Sequence, residues 1–199
     1  GSAHGLTELA AGRAVLAGCH LMDPESGVWN LPAVRTHLPA TRHVLIHWAR
    51  RTQGLICATG NPLRITDLED AATRGLRFAL RTDSAGSQRL LNFLLARHDL
   101  SAANLNTAAA PVDTHADLAA LIESGEADCG FGLQSAAAHL GFLPLIADES
   151  FDLAMARRDY FEPAIQTLLA FARSEAFARR AAYLGGYDIT DLGKVQWNG

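Results

Sequence analysis

The chain has 199 residues, of which 49% are hydrophobic and 19% charged, enough to bury one sizeable core or two smaller ones and too apolar to be disordered or fibrous. A net charge of -4 and a pI near 6, with no cationic run longer than pairs such as Arg50-Arg51, Arg157-Arg158 and Arg179-Arg180, argue against nucleic-acid binding by this chain itself.

In chain order, Leu6, Leu9 and Ala10 recur at helical spacing, Gly12 stops that helix, and residues 14–19 read as a buried strand. A turn-rich loop spans His20 to Asn30, with Asp23-Pro24 and Ser26-Gly27 as breakers. Val44 to Trp48 and Leu55 to Ala58 are two short strands, and Thr66 to Glu69 is a capping box that opens a helix. Leu76 to Leu80 is the next strand. Gln88 to Arg97 follows as an amphipathic helix with Leu90, Leu91, Leu94 and Leu95 turned inward. Thr114 to Asp117 makes a second box before a helix, and Ala127 to Phe131 is another buried strand. Residues 135–140 read as helix, 142–146 and 151–155 as extended, and 161–184 as two helices broken at Ser174. This alternation predicts an α/β protein with mostly parallel sheet.

Lys194 is the single lysine, which sets aside a P-loop or Schiff-base lysine. Cys19, Cys57 and Cys129 sit far apart in apolar runs and fit reduced core thiols, hence a reducing compartment. No apolar stretch is long enough to span a bilayer, and no signal-peptide pattern opens the sequence. Gly1-Ser2 leads straight into helical sequence, as either the cut end of a longer chain or a cloning scar. The scattered histidines offer no metal-ligand spacing. No nucleophile elbow is present, so no catalytic residue is assigned.

Residues 2–18 (SAHGLTELAAGRAVLAG) echo residues 114–130 (THADLAALIESGEADCG): a hydroxyl at the helix start, leucines four and seven positions on, then a strand ending in Gly. Two similar α/β lobes would each present a hydroxyl at a helix N-terminus. Such a terminus offers unpaired N–H groups and partial positive charge, so it holds an anion without a lysine. The segment from Asp83 to Ser87 supplies hydroxyls and Gly86, with Arg81 and Arg89 as charge partners. Its other reading is an ordinary N-cap at Ser87 or Asp83. Ser2 and Thr114-His115 stand where the strands end, as ligand contacts or as caps. His20 and Asp23 follow the first buried strand.

The segments GCHLMDPESGVWNLPAVRTHLP (18–39), RTQGLICATGNPLRITDLEDAATRGLRFALRTDSAGSQRLLNFLL (51–95), THADLAALIESGEADCGFGLQSAA (114–137) and LGGYDITDLGKVQW (184–197) resemble the periplasmic-binding-protein-like domain of bacterial molybdate- and tungstate-related transcriptional regulators. The resemblance implies a type II fold: two lobes, each a mostly parallel sheet flanked by helices, joined by two crossover strands. Lobe I would comprise 1–58 and 149–199, lacking the family's usual first strand and helix, and lobe II 59–148. A small anion, molybdate or tungstate among others, would lie in the inter-lobe cleft against Ser2, His20, Asp23, Arg81, Ser84, Gly86, Ser87, Arg89, Thr114 and His115. The loop reads Ser-Ala-Gly-Ser where the family has Gly-Ser-Gly-Thr. The implied protein is a cytoplasmic sensor, not an enzyme, with no cofactor or metal; it meets DNA only through a helix-turn-helix outside this chain, and a homodimer is one assembly open to it. The alternatives are the solute-binding protein of an oxyanion importer or an enzyme of molybdenum-cofactor metabolism.

Overall fold

The computed structural model describes residues 1–38 and 42–199; Pro39, the last residue of the first resembling segment, lies outside them. In chain order the elements are α1 (Ser2–Ala10), β1 (Leu16–Cys19), α2 (Leu31–His37), β2 (His43–Cys57), α3 (Leu68–Thr73), β3 (Phe78–Ala79) and α4 (Gly86–Ala96), then a 3-10 turn at Ala102–Asn104. After it come α5 (His115–Glu123), β4 (Cys129–Leu133), α6 (Gln134–Ala137), β5 (Gly141–Ala156), α7 (Arg157–Tyr160), α8 (Pro163–Ala172), α9 (Glu175–Leu184), β6 (Tyr187–Asp188) and β7 (Val195–Asn198). Two compact units result: unit 1 holds Gly1–Arg51 with Asp148–Gly199, and unit 2 holds Thr52–Ala147. The chain leaves unit 1 inside β2 and returns inside β5.

In unit 1, β1 runs antiparallel to β5 from Leu16 opposite Met155 to Cys19 opposite Asp152. The first half of β2 takes β7 and β6 as antiparallel partners, Val44 opposite Asn198 and Arg50 opposite Asp188. Strand alternation sorts the side chains into two faces. Ala17, Cys19, Leu45 and Ala154 pack with Leu6 and Leu9 of α1 and Val34 of α2. Val44, Ile46, Leu153 and Met155 pack with Ile165 and Leu169 of α8. Burial pushes the Cys19 thiol up to about 12, the Asp152 carboxylate adding to the effect, so this cysteine is an inert core residue.

In unit 2, β4 lies between the second half of β2, antiparallel with Cys57 opposite Cys129, and β3, parallel with Phe78 opposite Cys129. Beyond β3, Thr107 and Val112 form parallel bridges to Phe78 and Arg81. Leu118 and Ile122 of α5 cover the face that carries Ile56 and Ala79. The connections through α4 and α5 run in opposite directions across the sheet, so the right-handed crossover rule puts α4 on the other face.

The sheets are not mostly parallel. Among the described strand pairs, only β3 with β4 is parallel; β1, β4, β6 and β7 all lie antiparallel to β2 or β5. The apolar run of β1 comes from cover on both faces, Ala17 and Cys19 against α1 and α2 and Leu16 against the cluster that includes Ile165 and Leu169 of α8, which suits antiparallel pairing equally well. The expected short strands at 44–48 and 55–58 are one 15-residue strand, and those at 142–146 and 151–155 one of 16 residues. Polar residues such as Arg50 and Arg51 interrupt the hydrophobic pattern without interrupting the ladder. Helix α2, with Pro32 in its first turn, had no amphipathic signature. The cap of α3 is Asp67, whose carboxylate accepts from Asp70 N, while Thr66 lies one residue earlier.

The echo between 2–18 and 114–130 takes physical form as α1–β1 and α5–β4. Each is a helix followed by a strand, and each strand lies antiparallel to one of the two long strands.

Candidate ligand-binding site

In unit 2 the chain leaves the C-terminal end of β3 and enters α4 through residues 80–85, and leaves the 107–112 segment and enters α5 at Thr114. Both loops therefore sit at the carboxyl ends of parallel strands, where ligands of open α/β sheets bind. Arg81 spans the gap between them: its Nε donates to Val112 O at 3.2 Å and its Nη2 to Asp113 O. Burial pulls this guanidinium below its usual range, against the opposing effect of Asp113 and Asp117. Both acceptors are carbonyls, so the positive charge meets no carboxylate in these bonds. The Arg81 N–H donates to Gln88 Oε1 at 3.0 Å, which ties the loop to the first turn of α4.

The three helix-opening hydroxyls are employed differently. Thr114 Oγ1 accepts from Asp117 N at 3.0 Å and donates to Asp117 Oδ2 at 2.6 Å, a complete cap for α5. Ser2 Oγ, in the first turn of α1, accepts from His20 N at 3.3 Å. Ser87 stands apart. It is 3% exposed, and its Oγ has no partner among the described residues. The N-cap of α4 is Ala85, which provides no side-chain acceptor. An 11-residue helix thus begins with unpaired N–H groups, an uncommitted buried hydroxyl and Gly86 at its first position. Ser84 is exposed, with its Oγ 3.4 Å from Thr82 Oγ1, and Arg89 is exposed on the outer side of the first turn. His115 packs over β4 so closely that a Cβ on Gly132 would lie 2.9 Å from its Nδ1.

Gln53 belongs to this end of the sheet although no motif marks it. It stands within β2 opposite Leu133, the last residue of β4. It is 1% exposed, and its Oε1 is buried without a partner. In the sequence it follows Arg50, Arg51 and Thr52, so a polar side chain at this point does not stand out.

In unit 1 a second cluster forms around Glu149, whose side chain is fully buried. Arg51 donates from Nε to Oε2 at 2.8 Å and from Nη2 to Oε1 at 2.9 Å. His20 Nδ1 lies 3.2 Å from Oε1. Burial raises the pKa of this carboxyl, but the His20 hydrogen bond and the Arg51 charge and hydrogen bonds outweigh it and hold the group below the ordinary glutamate range. Phe151 stacks on His20 with centroids 6.0 Å apart, and the Arg51 guanidinium lies 4.6 Å from the Phe151 centroid. Asp23 does not join this group. Its carboxylate accepts from the Ser26 hydroxyl and amide, which lowers its pKa and closes a turn within the 20–30 loop.

A Ser-His-Asp grouping also occurs in unit 1. His47 Nδ1 lies 2.8 Å from Asp152 Oδ1 and 3.2 Å from Ser150 Oγ. A relay needs the serine and the carboxylate on different ring nitrogens; here both face Nδ1. Asn30 donates to Asp152 Oδ2 at 2.7 Å and accepts from Leu21 N at 2.7 Å, so the network fastens the 20–30 loop to the sheet.

Comparison with known proteins agrees with this architecture. Residues 1–173 match the profile of the PBP superfamily domain. The uncharacterized protein YvgK of Bacillus subtilis (strain 168) is 30% identical over 198 residues, 98% of this chain; the chain spans 63% of that relative's length. A Clostridium perfringens protein assigned as a phosphate ABC transporter substrate-binding protein, solved with bound phosphate, superposes with a TM-score of 0.65 at 14% identity, covering 98% of this chain and 85% of that one. The effector-binding domain of QuiR in complex with shikimate gives 0.59 at 18% identity, covering 90% and 78%. At such identities the structural likeness is one of fold.

Proposed function

The chain belongs to the PBP superfamily, and from that premise we propose that it binds a small oxyanion at the N-terminus of α4 and serves as the ligand-sensing part of a bacterial transcriptional regulator. The observation that carries this reading is the unfinished start of α4. Thr114 closes its helix with two internal hydrogen bonds, whereas α4 has no side-chain cap and keeps the Ser87 hydroxyl buried and uncommitted. Polar groups in a folded interior are normally paired, so a site with open donors at a helix N-terminus is suited to an anion. Arg81, bonded only to carbonyls, adds positive charge beside it. Molybdate and tungstate are the anions to which the sequence resemblance points, and a binding role without turnover is supported by the PBP superfamily match. The reading places the protein in the cytoplasm, with DNA bound by a segment outside this chain. Among the described residues, no helix is long and apolar enough to cross a membrane.

Likeness to the Clostridium perfringens protein supports a second reading, a solute receptor for an importer. An export signal on the full-length gene product would favour it. The binding test is calorimetric titration of the protein with molybdate, tungstate, sulfate and phosphate, repeated on Ser84→Ala/Ser87→Ala. Hydrogen bonds to a charged ligand contribute roughly 1.5 to 3 kcal/mol each, so the double variant should bind at least about tenfold more weakly. Heat from none of the four anions would refute the oxyanion reading.

A further inference from the structure

Gln53 says something about the ligand that the helix terminus does not. Its side chain is 1% exposed, and its Oε1 is buried with no hydrogen-bond partner among the described residues. It is held there by its neighbour. A Cβ on Gly54 would lie 2.0 Å from the backbone oxygen of Leu143, so only glycine lets β2 approach β5 this closely. The face is also determined. Ile56 and Gly130 lie on the α5 side, where a Cβ on Gly130 would meet Leu118, and strand alternation turns Gln53 to the opposite side, that of α4. The register opposite Leu133 places Gln53 at the carboxyl end of β4. Within unit 2, the unpartnered Gln53 amide oxygen and the unpartnered Ser87 hydroxyl therefore share one end of the sheet and one face.

A carboxamide offers one acceptor and one donor side by side, whichever way it is turned. Its complement is a group that presents an acceptor next to a donor. A fully ionised tetrahedral dianion such as molybdate, tungstate or sulfate at neutral pH has only acceptors. It would satisfy the amide N–H and set an anionic oxygen against the amide carbonyl, which is repulsive. A hydrogenphosphate, or a carboxylate with a hydroxyl beside it, satisfies both ends. We infer that the unit 2 site selects an oxyanion that carries its own hydrogen-bond donor, and that Gln53 reads that donor. Discrimination of this kind is steep because the wrong ligand leaves a buried polar group unpaired.

This inference rests on the anion-binding reading above, and matched ligand pairs separate the two. Phosphate and sulfate are alike in shape and differ in the donor; lactate and pyruvate differ likewise. Each is titrated calorimetrically at pH 7 into the wild-type chain and into Gln53→Leu and Gln53→Met, with thermal melts to confirm folding. In at least one pair the donor-bearing member should bind wild type about tenfold tighter or more. That preference should collapse in either folded Gln53 variant, while Ser87→Ala weakens both members alike. Equal binding within both pairs overturns the inference and leaves the anion site standing, as does a preference that survives loss of the amide. Failure of every anion to bind wild type overturns the anion-binding reading and this inference with it.

Discussion

Arg51 grips Glu149 with two parallel hydrogen bonds, Nε to Oε2 at 2.8 Å and Nη2 to Oε1 at 2.9 Å, and the carboxylate has no exposed surface. Removing one partner of such a pair strands the other charge. Arg51→Met should cost about 3–5 kcal/mol of stability, measured by urea unfolding. Arg51→Met with Glu149→Leu, which replaces both charges by apolar groups, should recover most of that loss. Equal destabilisation of the single and double variants would count against the pair.

The same carboxylate shapes the acid limb of the stability curve. Its pKa in the folded protein lies below the ordinary value of 4.5, because His20 and Arg51 outweigh its burial. Unfolded chains therefore take up this proton first as pH falls. The stabilisation is complete above the unfolded value of 4.5 and is lost as pH drops through the lower folded value. Urea midpoints between pH 6 and pH 3 should fall more steeply for wild type than for Glu149→Gln, which has no proton to gain.

Gly18 and Phe151 are fitted to one another, since a Cβ at position 18 would lie 2.7 Å from Phe151 Cζ. Gly18→Ala should cost about 1–3 kcal/mol through overpacking, and Phe151→Leu in the same chain should relieve most of it. At Gly54 the obstacle is the backbone oxygen of Leu143 at 2.0 Å, which no side-chain movement can relieve. Gly54→Ala should therefore be the more damaging of the two, visible as a lower melting temperature or an insoluble product.

The two hydroxyls at the starts of α4 and α5 should separate stability from binding. Thr114 caps its helix, so Thr114→Ala should cost about 1 kcal/mol in urea unfolding. Ser87→Ala removes a buried hydroxyl that has no partner, so stability should hold or rise while anion affinity falls. A stability loss at Ser87 like that at Thr114 would make it a structural residue.

Much of the fold was legible in the sequence because the local signals were strong. Thr114-x-x-Asp117 reads as a cap and is one, Ser174 breaks α8 from α9 and accepts from Phe177 N, and Leu90, Leu91 and Leu95 of α4 turn inward as their spacing requires, with Leu94 half-buried. The long strands were not legible, because a ladder of 15 or 16 residues passes through polar side chains whose partners lie far away in sequence. Arg51 looks like half of a surface pair until Glu149, 98 residues later, meets it. The loop at residues 81–87 and His20 could be singled out from the chain alone, since turn chemistry and strand ends are local features. Gln53 and Glu149 could not, because a polar residue inside a strand declares its role only when the opposite strand and the covering helix are known.

Unit 2 is one uninterrupted stretch, Thr52–Ala147, while unit 1 is divided around it. On the ribosome this fixes an order of events. Unit 2 has all its residues as soon as Ala147 has emerged and can fold as a unit while synthesis continues. Unit 1 must wait: β1 needs residues 152–155 of β5, and the edge of β2 away from β5 stays open until residues 187–198 arrive. Until residues 187–198 appear, the stretch from Val44 to Arg51 keeps one edge of its strand unpaired. The nascent chain is therefore exposed to misassociation while residues 157–186 are being made, and the strand Val195–Asn198 closes that window.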